Sequence, residues 1–202
     1  GINASAGMLI VNEKARNTYK IGMDNTNFLR GSIRYVGSEI RSVILNKMHV
    51  SRNDDICIIS GESIAIEAAI VAIEGTIIAV EYKREDRKTM EENIEHFGLH
   101  NIEVIDCVNE DTMKDLPVPN TVFLVASASL EQELDCLTKL NPNINVVVYT
   151  LDLSVAGSIS KVFEKYSIKD MEMIQVSISK LNHKNSFVQE PAPWIISGKA
   201  KR

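Results

Sequence analysis

Proline occurs only five times in the 202 residues, and the sequence has no glycine repeat or low-complexity tract. Proline-rich disordered chains and collagen-like repeats are thereby excluded. No apolar run approaches the roughly 18 residues of a membrane-spanning helix, so no membrane partner is expected. Residues 8–11, the one apolar stretch near the start, are too short for a secretory signal. Cys57, Cys107 and Cys136 contain no C-x-x-C pair, and each lies in or beside an apolar run. Buried thiols in a reducing compartment, by default the cytoplasm, follow from that placement. His49, His96, His100 and His183 have no metal-ligand spacing, so no metal site is expected. Cationic surplus is missing too: 22 Lys and Arg stand against 27 Asp and Glu, for a net charge of −5. A general nucleic-acid binder needs the opposite balance.

Apolar residues make up 45% of the chain and charged residues 24%, which suits one medium domain burying about 70% of its surface. Residues 1–27 read as a short strand at 8–11, a polar stretch and a turn at Gly22; four apolar residues cannot form a domain. They either add an edge strand to residues 28–202 or are the remnant of a preceding fused domain and its linker. Ile40, Val43, Ile44 and Met48 then recur at helical spacing behind Ser38 as N-cap, with Arg41 and Lys47 facing outward, as a lid or entry helix.

Beyond Ser51 the signals alternate. Residues 56–59 form an apolar run suited to a strand buried on both faces. A helix over 64–73 follows, capped by Ser63 and closed by Gly75 in the left-handed conformation. Strands are predicted at 76–80, 102–105, 122–125 and 144–149, with helices at 85–97, after Ser129 and over 155–166. Residues 171–179 and 193–197 leave no room for a helix between them, so they pair as an antiparallel hairpin. This is a three-layer α/β fold with a mostly parallel sheet. Such sheets bind ligands beyond the carboxyl ends of their strands, where the strand order reverses.

The order of elements resembles the class I methyltransferases that use S-adenosylmethionine, with a Rossmann-like, seven-stranded sheet ending in an antiparallel hairpin. Five stretches, Gly22-Met23-Asp24-Asn25-Thr26-Asn27-Phe28, Glu39-Ile40-Arg41-Ser42-Val43, Ile66-Glu67-Ala68-Ala69, Gln175-Val176-Ser177-Ile178-Ser179 and Pro193-Trp194-Ile195-Ile196-Ser197-Gly198, are similar to the decarboxylating precorrin methyltransferases of cobalamin biosynthesis. The resemblance spans residues 22–198. It implies S-adenosylmethionine as cofactor, a precorrin-type tetrapyrrole as substrate, a homo-oligomer, tetrameric in the family, and a fused or associated second precorrin methyltransferase.

The same resemblance names the site. The family's loop after the first strand is acidic-x-Gly-x-Gly-x-Gly, where this chain has Ile56-Cys57-Ile58-Ile59-Ser60-Gly61-Glu62-Ser63. An L-residue forced to positive φ costs about 1–2 kcal/mol, and a carboxylate at Glu62 about 4 Å from the ligand's own would repel it by about 1–4 kcal/mol. Such losses turn micromolar binding into millimolar. A turn re-registered on Gly61, with Glu62 toward solvent or toward the cofactor's ammonium, avoids them. Glu81, ending the second strand, matches the acid that takes both ribose hydroxyls, with Tyr82 beside the adenine. Val108 stands where the family has an adenine-binding Asp, and Asn109 either substitutes for that Asp or caps a helix.

Ser127 and Thr150 match positions bordering the acceptor, Ser129 being the helix cap. For a polycarboxylate the basic candidates are Lys83, Arg84, Arg87 and Lys88, and, preferred, Lys180, His183 and Lys184 in the hairpin connection. Methyl transfer from an activated donor needs alignment more than acid–base groups, so no catalytic residue is assigned. The competing expectation is a catalytically inactive domain that keeps this fold as an assembly partner of a fused methyltransferase.

Overall fold

The computed structural model describes residues 20–31 and 36–201; the strand expected at 8–11 lies outside them. In chain order, α1 (Ser38–Met48), β1 (Ile56–Ile59), α2 (Glu62–Val71), β2 (Ile77–Val80), α3 (Arg84–Phe97), β3 (Ile102–Ile105), α4 (Glu110–Met113), β4 (Thr121–Val125), α5 (Leu130–Leu140), β5 (Asn145–Thr150), α6 (Leu153–Lys165) and β6 (Ile168–Gln175) are followed by β7 (Ser179–Leu181), β8 (Phe187–Gln189) and β9 (Trp194–Ala200). Seven strands form one sheet in the order β3-β2-β1-β4-β5-β9-β6, parallel from β3 to β5, with β9 antiparallel to both β5 and β6. The reversal of strand order falls between β1 and β4.

The pleat explains why the central strands are apolar without alternation. Ile56 and Ile58 of β1 join the core beneath α1, α2 and α3, while Cys57 and Ile59 join the core beneath α5 and α6. α1 is therefore a packed element of the first layer rather than a lid: Ile40, Ile44, Leu45 and Met48 are buried in it. Its N-cap is Gly37, one residue ahead of Ser38. Met23 and Phe28 join the same cluster.

Two glycines mark physically different stops. Gly98 ends α3 at φ 64°, the left-handed C-cap its position implied. Gly75 does not adopt positive φ; a Cβ there would lie 2.0 Å from the Asp54 carbonyl oxygen, so close backbone approach is what requires glycine. The expected final hairpin is present as β6 and β9, but their connection carries a second, two-stranded hairpin, β7 and β8, with Leu181, Phe187 and Val188 exposed.

Candidate functional site

Two adjoining cavities open beyond the carboxyl ends of the parallel strands. The first, of about 390 Å³, is lined by Ser60, Gly61, Ser63 and Ile64 after β1, Glu81, Tyr82 and Lys83 after β2, Asp86 on α3, Val125 ending β4, and Tyr149 and Leu151 around the end of β5. The second, of about 350 Å³, is walled by Asp24, Asn25, Gly37, Ser38, Ile40, Lys180, Glu190 and Pro191. Val36, Tyr149 and Leu151 belong to both.

Ser60 carries φ 58°, so the loop after β1 takes its left-handed turn on a serine. Gly61 stays at φ −140° and caps α2; the turn is not re-registered on it. Its missing Cβ serves packing, since that atom would sit 2.8 Å from Ile58 Cγ2. Ser63, expected as the cap of α2, is inside its first turn, buried and on the cavity wall. Glu62 does not turn to solvent. Its side chain is buried, and its Oε1 lies with the Asp86 carboxylate against Gly31.

Glu81 is 1% exposed, and its Oε2 is buried with no hydrogen-bond partner among the described residues. Burial, with the carboxylates of Glu62 and Asp86 nearby, pushes its pKa up to about 8; a hydrogen bond from the Gly61 backbone N–H works the other way. Arg87 Nη1 donates to the carbonyls of Glu81 (2.8 Å) and Tyr82 (2.9 Å), which fixes the turn carrying both side chains. A shielded acceptor of this kind suits a vicinal diol, whose two hydroxyls are donors. Those side chains, with the apolar walls, are what this site offers a nucleoside cofactor.

The other candidates are dispersed. Val108 is buried in the core, and with Asn109 borders a separate cavity of about 320 Å³ near α5. Asn109 caps α4: its Oδ1 accepts from the Thr112 N–H (2.9 Å), and its Nδ2 donates to Cys107 Sγ (3.1 Å). Ser127 is exposed, its Oγ accepting from the Ser129 N–H (3.1 Å); Ser129 occupies the N-cap of α5 without a side-chain cap bond. Thr150 is buried and its Oγ1 accepts from the Asp152 N–H (3.0 Å), while its neighbours Tyr149 and Leu151 face the cavities. His183 and Lys184 lie exposed in the β7–β8 turn. Lys180 instead lines the second cavity and bridges Glu39 (3.0 Å) and Glu190 (3.1 Å).

The largest departure from the sequence expectation is a buried arginine. Arg41, read as facing outward, is 0% exposed: its Nε lies 2.8 Å from Glu67 Oε1, its Nη1 donates to Asn25 Oδ1 (2.8 Å), its Nη2 to the Met23 carbonyl, and its guanidinium stacks 4.8 Å from the Phe28 ring centroid. Glu67 accepts in turn from the backbone N–H groups of Gly22 and Met23, both at 2.9 Å. Three of the five resemblance stretches thus meet in one buried network that holds residues 22–25 against the second cavity. The available signal was Glu67, a single charged residue in the otherwise apolar stretch 64–73.

This sheet order, with a cleft beyond β1, β2, β4 and β5, is the three-layer Rossmann-like fold of class I methyltransferases. The chain belongs to the precorrin methyltransferase domain family, whose sequence model matches residues 34–189. Among solved structures it is similar to a precorrin-6y C5,15-methyltransferase from Geobacter metallireducens, at 22% identity and TM-score 0.79 over 88% of this chain and 96% of that one. A precorrin 8w decarboxylase from Methanobacterium thermoautotrophicum aligns at 14% identity and TM-score 0.73, covering 87% and 98% of the two chains. The C-terminal domain of a precorrin-6Y C5,15-methyltransferase from Rhodobacter capsulatus does so at 18% and 0.72, covering 89% and 98%. No curated protein matches the chain in sequence. Among the described residues, no helix is long and apolar enough to cross a membrane.

Proposed function

We propose that the chain is an S-adenosylmethionine-dependent precorrin methyltransferase of the decarboxylating type, acting in cobalamin biosynthesis, with the donor in the first cavity and the acceptor reached through the second. The observation that carries this reading is the buried, unpartnered Oε2 of Glu81 at the end of β2, on the wall of the first cavity. When bound, the cofactor supplies a methyl group already activated on a positively charged sulfur. Glu81 accepts the ribose hydroxyls, Tyr82 lines the adenine side, and the Ser60–Gly61 turn borders the remainder. Glu62 does not line the cavity itself, and its buried carboxylate acts there through Glu81, whose pKa it helps to raise. Lys180, the cation on the wall of the second cavity, is already paired with Glu39 and Glu190, so a polycarboxylate has to compete with them for it; the exposed Leu181, Phe187 and Val188 support assembly into a homo-oligomer.

Because Glu81 holds its proton up to about pH 8, and only the carboxylate accepts from both hydroxyls, the cofactor binds more tightly as pH rises. Titration calorimetry with S-adenosylmethionine is expected to give a Kd tighter than about 100 μM, improving by about tenfold between pH 7 and pH 9. Glu81→Ala is expected to weaken binding at least about tenfold and to flatten that pH dependence. Ser60, a non-glycine residue at φ 58°, favours a second reading, a non-catalytic assembly partner. Absence of heat at millimolar ligand would support it.

A further inference from the structure

The two cavities share a wall of Val36, Tyr149 and Leu151, and only one of these can respond to charge. If the donor occupies the first cavity and the acceptor the second, this shared wall is the part of the protein nearest the transferred methyl group. We propose that Tyr149 reads the charge of the donor at this junction, its ring favouring a sulfonium over a neutral thioether. The inference rests on the donor assignment above.

Tyr149 is placed by the sheet rather than by a loop. It pairs with Val125 of β4 and Ile195 of β9, and its carbonyl accepts from the Ala126 N–H at 2.9 Å. Burial raises the pKa of its hydroxyl, so the ring stays a neutral phenol at working pH. The face of such a ring attracts a cation. Val36 and Leu151 are aliphatic and blind to charge. The charged groups lining the first cavity, Glu81, Lys83 and Asp86, come from the turn after β2 and from α3, across the sheet from β5. Those of the second are engaged: Asp24 Oδ1 accepts from the Thr26 N–H and hydroxyl, both at 2.8 Å, and Lys180 is bonded to Glu39 and Glu190. Tyr149 is thus the residue of the junction able to tell the donor from its demethylated product, holding the first and letting go of the second.

Calorimetry on the whole chain tests this with two probes, S-adenosylmethionine and S-adenosylhomocysteine. Tyr149→Leu is expected to weaken the sulfonium ligand about tenfold and to leave the thioether within about twofold, while Tyr149→Phe keeps the wild-type ratio. A series of fluorinated phenylalanines at position 149 preserves the ring volume if Tyr149→Leu does not fold. There the sulfonium affinity should fall stepwise with fluorine number and the thioether affinity stay level. Equal effects on both ligands, or no effect on either, overturn the role of Tyr149 while leaving the donor assignment intact. Wild-type chain that binds neither ligand overturns both.

Discussion

Arg41→Met is expected to destabilise the protein by about 3–5 kcal/mol, because it leaves the Glu67 carboxyl group buried without its guanidinium partner. Both side chains are 0% exposed, so water cannot replace the guanidinium. Two further losses accompany the charge. Asn25 Oδ1 and the Met23 carbonyl each lose a donor, and the Phe28 face loses its cation. Arg41→Lys rescues little, since an ammonium cannot serve Glu67, Asn25, Met23 and the ring together. Urea denaturation reads the free-energy loss, and in thermal unfolding the midpoint temperature should fall by roughly 10 °C. Adding Glu67→Gln removes the stranded carboxyl group, so the double variant should be more stable than Arg41→Met alone, a coupling that a double-mutant cycle reads directly. A loss below about 1 kcal/mol would mean that residues 22–25 are held against the second cavity by something else.

That network also shows what a single sequence conceals. Strand and helix order was legible because it follows from short apolar runs: β1 and β3 fall on the expected residues, and α3 ends at Gly98 as expected. Arg41 was not, because a charged residue on an amphipathic helix is ordinarily solvated, and only contact with Glu67, 26 positions along the chain, makes burial tolerable. At the cleft, Glu81 and Tyr82 could be placed because a strand end has a fixed relation to the sheet. Asn109, Ser127 and Thr150 could not be separated into ligand-facing and backbone-bonding roles, since short polar side chains after a strand serve either purpose, and each here has a hydrogen-bond partner within two or three residues. Nothing in the sequence marks Tyr149 as facing a ligand, since it is one aromatic in an apolar strand that suits an oligomer contact equally well.

Glu133 escaped notice for the opposite reason. It sits on α5 beside Leu134 and Leu137, is 2% exposed, and neither carboxylate oxygen has a hydrogen-bond partner among the described residues. Burial pushes its pKa from the ordinary 4.5 up to about 7. Its charge would lie among Cys57 and the apolar residues of the second core, and burial with that carboxylate nearby raises the Cys57 thiol in turn. The sign of the linkage is then fixed. Between about pH 4.5 and 7 the unfolded chain has released this proton and the folded chain has kept it, so stability falls as pH rises through that window and levels off above it. Glu81 contributes a slope of the same sign up to about pH 8, so the wild-type curve alone does not isolate Glu133. The difference between variants does. Glu133→Leu is expected to be more stable than wild type by about 2–3 kcal/mol at pH 8, roughly 5–10 °C in midpoint, with the gain shrinking toward pH 5. Glu133→Gln removes the ionisation but leaves polar atoms without partners, so it should flatten the pH dependence while recovering less stability. Parallel denaturation series at pH 5, 6.5 and 8 separate the cases, and a gain for Glu133→Leu that stays constant with pH would assign its effect to packing alone.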